Sequence, residues 1–265
     1  MFPASIKLEL FLNQNIPFMK IIPLSEGSFT IDQTKEFIPF NLEMDDLQQR
    51  SRGSLLVEIQ PFVVVTSNDI IILDTGLGFT NENDVLQLHQ NLMENDIDPM
   101  SVTKVLMSHL HKDHAGGISK HDKQLNKSFL SFPNATYYLN KQELEFSMQP
   151  GNPSYKKEKL EVLYHSDNVH FIEGNGTIDG YIRYELTSAH SNFHQVFWIE
   201  DAGEIAFFGA DDAPQLQQMK NKFVAKYDFD GKKCMELRLK WWETGKELGW
   251  NFLFYHDIKT PQFQF

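Results

Sequence analysis

The chain reads as a mixed α/β protein in which two β-sheets pack together with helices outside. Three observations predict this class. Strand-like and helix-like segments are interspersed along the whole length. Several strands follow one another as hairpins, which a single parallel sheet with crossover helices does not accommodate. At 265 residues and 41% hydrophobic content, the chain has ample apolar surface for a core, as one large domain or two small ones.

The elements follow in order. Ile6 to Leu12 alternates apolar and polar residues, the period of a half-buried strand. Gly27 to Ile31 reads as a second strand. Leu55 to Thr66 and Ile70 to Leu73 flank the turn-like Ser67-Asn68-Asp69 and together read as a hairpin. Residues 32 to 52 are irregular and carry Phe37, Pro39, Phe40 and Met44, either as a loop packed on the core or as a flap over a pocket. Asn83 to Asn95 places Val85, Leu86, Leu88, Leu92 and Met93 in a helical stripe, and Pro99 follows it. Val102 to Met107 and Ala135 to Leu139 read as strands. Lys141 to Met148 reads as a helix ended by Pro150-Gly151, and Ser154 to Tyr164 as another. Tyr181 to Leu186, Gln195 to Glu200 and Ile205 to Phe208 are strand-like. A helix over Lys232 to Leu248 puts Met235, Leu239 and Trp242 on one face, and Trp250 to Tyr255 is a final strand.

Charge and composition narrow the partners. The net charge is −12, and no basic stripe is present; Lys156-Lys157-Glu158-Lys159 is interrupted by acid and reads as a solvated face. Nucleic acid is therefore not an expected partner. The longest apolar runs, such as Phe62-Val63-Val64-Val65, fall far short of the ~20 residues of a membrane span. No basic region followed by an apolar core opens the sequence, so no signal peptide is expected. The single cysteine, Cys234, excludes an internal disulfide and a Cys-rich metal site. The expected compartment is the cytoplasm.

The most informative stretch is His109-Leu110-His111-Lys112-Asp113-His114, which follows the apolar Val105-Leu106-Met107. Three imidazoles and a carboxylate in six residues at a strand end point to metal binding. Neutral imidazole is the commonest metal ligand, and mixed His/carboxylate sets suit zinc or a similar borderline ion. Gly116-Gly117 then lets the backbone turn away tightly. Three further candidates stand just past strand-like runs: His190, Asp211 and His256. Neighbours compete with each of them: His194, Asp212 and Asp257, respectively. His89, His121, His165 and His170 read as surface or structural residues, and Trp241 and Trp242 as packing residues.

On these residues the chain resembles the metallo-β-lactamase-fold hydrolases, in order and through nearly its whole length. Leu73-Asp74-Thr75-Gly76 looks like the family's first motif, His109 to His114 the second, His190 the third, Asp211 the fourth and His256 the fifth. Phe132-Pro133-Asn134-Ala135 and Lys226-Tyr227-Asp228-Phe229-Asp230-Gly231 resemble the branch of lactonases and organophosphate-type hydrolases. The resemblance implies one domain over residues 1–265, folded as a four-layer αββα sandwich of two mixed sheets. It implies two divalent metal ions, zinc by default, with iron, manganese or nickel as alternatives. His109, His111 and His190 would bind one, and Asp113, His114 and His256 the other. Asp211 would bridge both together with a water or hydroxide, Asp113 would also shuttle a proton, and Asp74 would orient a ligand histidine from behind. His194 falls to a supporting role. The chain departs from the family at Ala189, where glycine is usual, at Ser191-Asn192-Phe193, and at Pro214, where lactonases carry a tyrosine.

The function that follows is hydrolysis of a small ester, lactone or related bond in a small-molecule substrate, and the resemblance points to a homodimer. Two alternatives stay open: an iron-dependent sulfur dioxygenase on the same fold, and a metal-binding or interaction protein without catalysis. The di-iron flavoproteins of this fold are disfavoured by His111, and a glyoxalase-type thioesterase by the short tail after His256.

Overall fold

The computed structural model describes residues 19–265; the strand expected at Ile6 to Leu12 lies outside them. In chain order the strands begin with β1 (Lys20–Pro23), β2 (Gly27–Ile31), β3 (Phe37–Pro39), β4 (Leu55–Ile59), β5 (Phe62–Val65) and β6 (Ile70–Leu73). Helix α1 (Gln87–Glu94) leads to β7 (Lys104–Leu106), and the short helix α2 (Lys112–Ala115) to β8 (Ser119–Asp122), β9 (Lys127–Leu130) and β10 (Thr136–Asn140). Helices α3 (Lys141–Ser147) and α4 (Lys157–Leu160) precede β11 (Val169–Ile172), β12 (Gly176–Ile178), β13 (Ile182–Leu186), β14 (Gln195–Asp201) and β15 (Glu204–Phe208). Helices α5 (Leu216–Lys220) and α6 (Gly231–Leu248) precede β16 (Asn251–Leu253) and β17 (Gln262–Gln264).

Two six-stranded mixed sheets carry the fold, in the orders β1-β5-β6-β7-β10-β11 and β12-β13-β14-β15-β16-β17. The period-two side-chain alternation assigns each strand residue to a layer. Val64, Ile71 and Leu73 point into the core between the sheets, where they meet Phe197, Ile199, Phe208 and Leu253. Val63 and Ile72, one residue out of step, pack with Leu88 and Leu92 of α1 and Leu144 of α3. On the far side Trp198 and Phe207 pack with Met219 of α5 and Trp241 of α6. Three apolar layers between four structural ones make the αββα sandwich.

The expected strand Leu55 to Thr66 is two strands. Pro61 has no N–H to donate and breaks the ladder; β4 joins a three-stranded sheet in the order β3-β2-β4, while β5 pairs with β6 as the hairpin. The helix expected at Ser154 to Tyr164 is the short α4 followed by a 3-10 turn, Glu161–His165. The buried face of α6 is Cys234, Arg238, Trp241 and Gly245, one position away from the expected one. Arg238 is buried because its guanidinium donates to Asp212 O (2.9 Å) and Phe223 O (2.6 Å). Trp242 is half-buried and stacks on Phe263.

Glycines bring the loop after β6 against the end of the histidine loop. A Cβ on Gly116 would lie 2.2 Å from Leu77 O, one on Gly117 2.1 Å from Thr75 O, and one on Gly78, at φ +75°, 2.2 Å from Gly116 O. Gly116 itself has helical φ, so close approach rather than a turn excludes a side chain there. The contact is fixed by Thr75 N, which donates to His114 O at 2.6 Å.

Buried Glu26 braces the same loop, its Oε2 accepting from Leu77 N at 2.6 Å. Burial outweighs the backbone bonds from Leu77 and Gly78 and pushes its pKa from 4.5 up to about 7. Between those values the unfolded chain has released a proton that the folded chain keeps. Stability therefore falls as pH rises through this window, by roughly 3 kcal/mol in all. Glu26→Gln keeps an acceptor for Leu77 N–H and removes the charge. Urea unfolding is expected to show little gain at pH 4.5 and a gain approaching that amount at pH 8; an equal effect at both would refute the assignment.

Candidate metal centre

Five loops at one edge of the two sheets deliver the predicted residues. His109, His111, Asp113 and His114 follow β7, Asp74 follows β6, His190 follows β13, Asp211 follows β15 and His256 follows β16. The backbone is left-handed where three of these loops leave their strands: Asp74 (φ +56°), Ser188 (φ +50°) and Ala210 (φ +42°). Each such residue costs roughly 1–2 kcal/mol, and strain of this kind gathers at functional sites.

The side chains converge in two groups around Asp211. On one side His109 Nε2 lies 2.9 Å from His111 Nδ1, and His190 Nε2 lies 3.3 Å from the same nitrogen. Asp211 Oδ2 is 3.1 Å from His190 Nε2 and 3.9 Å from His109 Nε2. On the other side Asp113 Oδ2 is 3.7 Å from His114 Nε2 and 3.6 Å from His256 Nε2. Asp211 Oδ1 completes that group, 3.2 Å from His114 Nε2 and 2.9 Å from His256 Nε2. The two Asp211 oxygens thus face separate groups. His114 Nε2 and Asp211 Oδ1 are buried without a hydrogen-bond partner although they lie close together. Nitrogen and oxygen atoms arranged this way aim at a common third point rather than at each other. A divalent cation fits that donor set on each side.

Three of the imidazoles are oriented from behind. His114 Nδ1 contacts Asp74 Oδ2 at 2.7 Å, His190 Nδ1 contacts Asp228 Oδ1 at 2.9 Å, and His256 Nδ1 contacts Glu58 O at 2.7 Å. Each contact places the proton on Nδ1 and turns the Nε2 lone pair into the site. Asp74 also accepts from Ser108 N (2.7 Å) and Ser108 Oγ (2.6 Å). With both oxygens engaged, it acts on His114 from outside the cluster, although it lies near enough to His109 and His114 to count geometrically among candidate ligands.

Electrostatics agree with this division. Burial, and then the neighbouring imidazoles, hold His109 and His111 well below the ordinary histidine range, in the neutral form that binds metal. Burial would also lower His114, His190 and His256, but nearby carboxylates, Asp211 foremost, outweigh it and raise all three. Asp211 is held well below the carboxylate range: burial opposes ionisation, but His256, His114 and His190 together prevail.

The competing neighbours do other work. Asp212 Oδ1 accepts from His190 N at 2.8 Å, and its Oδ2 lies 3.0 Å from His194 Nδ1. His194 thus supports the His190 main chain through Asp212, and its ring packs beside His109, with ring centres 4.9 Å apart. Asp257 accepts from Leu216 N at 2.9 Å, capping α5. Sequence reasoning missed Asp228, which sits in a loop 38 residues from its partner His190. It also missed Tyr255, whose hydroxyl donates to Asp113 O at 2.6 Å and whose ring stacks on His114. Glu143, buried behind the histidine loop, accepts from Leu110 N (3.1 Å) and Tyr155 Oη (3.0 Å) and was missed as well.

A cavity of about 970 Å³ opens over the centre, reaching His111, Asp113, His190, Asp211 and His256. One wall is the segment following β2, including Lys35 and Phe37; the other carries Phe223, Tyr227 and Phe229. The irregular stretch after Ile31 is thus a pocket wall. Pro214 lines the cavity and offers it no hydroxyl. Among the described residues no helix is long and apolar enough to cross a membrane.

The chain matches the family model of the metallo-beta-lactamase superfamily over residues 58–208. No curated protein resembles it closely enough in sequence to count as a match. Among solved structures, a probable metal-dependent hydrolase from Staphylococcus aureus is 19% identical with a TM-score of 0.74, over 93% of this chain and 92% of that one. The hydrolase AbOPH of the beta lactamase superfamily is 22% identical with a TM-score of 0.69, over 93% and 89%. AidC, a dizinc quorum-quenching lactonase in complex with its product N-hexanoyl-L-homoserine, is 18% identical with a TM-score of 0.66, over 92% and 89%. At these identities the likenesses establish a shared fold. The family match spans more than half of the chain and includes the histidine loop, His190 and the strand before Asp211, so the protein belongs to the metallo-beta-lactamase superfamily.

Proposed function

We propose that the protein is a dinuclear metal-dependent hydrolase that cleaves a small ester, lactone or related bond. The observation that carries this reading is the division of Asp211, with Oδ2 facing His109, His111 and His190 and Oδ1 facing His114, His256 and Asp113. Two divalent cations, zinc by default, would polarise the scissile oxygen and lower the pKa of a bound water from 15.7 to about 7. His109, His111 and His190 would hold the first and Asp113, His114 and His256 the second, with Asp211 between them.

The chain itself supplies the rest. Asp113 opens onto the cavity, with its main chain fixed by Tyr255, and would take the proton that attacking water releases and return it to the leaving alkoxide. Asp74, Asp228 and the Glu58 carbonyl keep three imidazoles from rotating away. A cavity of about 970 Å³ suits a small molecule. The likeness to AidC supports a lactone as one substrate to try, while Pro214 leaves any polar contact to the substrate carbonyl to other residues.

The test is a panel of aryl esters, lactones and phosphotriesters assayed with metal-replete protein, before and after chelation. Turnover of at least one class, lost with chelator and restored by added metal, is the expected result. Full metal occupancy with no turnover on any class would overturn the proposal.

A further inference from the structure

In a chain whose net charge is −12, three lysines line the cavity over the metal centre, Lys35, Lys112 and the exposed Lys226, while Asp113, Asp211 and Asp228 of the same lining face the site histidines. Lys35 and Lys112 line the wall made by the segment after β2 and the start of α2. Lys112 is half-buried, its Nζ 5.9 Å from the centre of the Phe37 ring. Its backbone N–H donates to Ser154 O at 2.7 Å, which draws the segment bearing Lys156 alongside. Among the described residues the lysines in ion pairs are Lys104, Lys120, Lys141 and Lys232, and none of these lines the cavity. Lys35 and Lys112 have no such partner. Glu36 and Asp113 act on Lys112 only from beyond ion-pair distance. Asp32, on the same wall, makes no ion pair with either lysine; its Oδ1 accepts from Thr34 N (2.9 Å) and Thr34 Oγ1 (2.7 Å).

Partly buried lysines without a carboxylate partner leave their charge available to a ligand. Grouped in a cleft, they also focus the field and raise the local concentration of anions. Lys112 lines the same cavity as its neighbours His111 and Asp113, so a substrate held at the centre shares that cavity with its charge. Phe37, Ile31 and Leu55 on the same wall would contact an apolar spacer.

We propose that Lys112 and Lys35 bind an anionic group of the substrate, so that the preferred substrate is an ester or lactone bearing a carboxylate or phosphate near the scissile bond. This rests on the hydrolase reading above for the bond cleaved, but not for the anion contact.

Two measurements test it on the metal-loaded protein. The first compares kcat/KM for mono-4-nitrophenyl succinate with that for 4-nitrophenyl acetate. Wild type is expected to favour the succinate ester about tenfold or more, with the preference shrinking as salt rises. In the double variant Lys35→Met/Lys112→Met the preference is expected to vanish. The second is calorimetric binding of glutarate and 3-phosphonopropionate against butyrate. The extra anionic group is expected to tighten binding about tenfold in wild type and not in the double variant; whichever of the two binds tighter identifies the group. No preference in wild type, or one that survives in the double variant, overturns the proposal. If neither ester is turned over, the calorimetry still decides the lysines, and the substrate panel above decides the hydrolase reading.

Discussion

Asp211→Ala is expected to lose both metals and to lower turnover on the order of a thousandfold or more, because water activation and carbonyl polarisation are lost together. The reason is geometric. Removing His109 would strip a donor from one group, but removing Asp211 strips an oxygen from each. It also removes the negative charge that raises His114, His190 and His256. Asp211→Asn separates charge from shape: it leaves one oxygen and presents an NH₂ to the other group, so one site should weaken far more than the other. Metal content by mass spectrometry and turnover under saturating metal check both variants, with circular dichroism confirming that they fold. Retention of two metals by Asp211→Ala would remove the bridging role.

Asp74→Ala is expected to be the most damaging change outside the metal-facing side chains. The Asp74 carboxylate is fully buried and satisfies Ser108 N, Ser108 Oγ and His114 Nδ1. Its loss leaves those donors buried and unpaired, at about 1–3 kcal/mol each, and places alanine at a left-handed position that aspartate tolerates better. A total loss of at least about 3 kcal/mol is expected in urea unfolding. Asp74→Asn keeps the backbone conformation and the acceptor for Ser108 N but turns an NH₂ toward His114. It should lose little stability yet weaken metal binding at the His114 group by about 10–100-fold, the usual effect of losing a carboxylate behind a ligand imidazole. Equal losses of stability in both variants would make Asp74 purely structural.

The parts of the centre that were legible in the sequence are those whose signal is local. His109 to His114 is contiguous, and His190, Asp211 and His256 each follow an apolar run that ends at a sheet edge. Asp74 was found through the motif Leu73-Asp74-Thr75-Gly76. Asp228 lies in the segment Lys226 to Gly231 that resembles the lactonase branch, but its role behind His190 is not legible there, because the contact exists only once β13 and that loop are placed together. Glu143 and Tyr155 were hidden for the same reason.

The fold behaves similarly. The continuous apolar runs that form β5, β6, β14 and β15 stand out in the sequence. The strands β1, β8, β9, β11, β12 and β17 do not, lying at sheet edges where partial exposure leaves no continuous apolar run. The buried face of α6 lies one position from Met235, Leu239 and Trp242 because Arg238 is buried, its guanidinium donating to two main-chain carbonyls.

The central claim is that one carboxylate divides two metal sites. It is tested most directly by titrating metal-free protein with zinc and locating the bound ions by anomalous diffraction. Two ions per chain about 3.5–4 Å apart, with Asp211 between them, are the expected result. A single ion at saturation, or two ions that do not share Asp211, would contradict it.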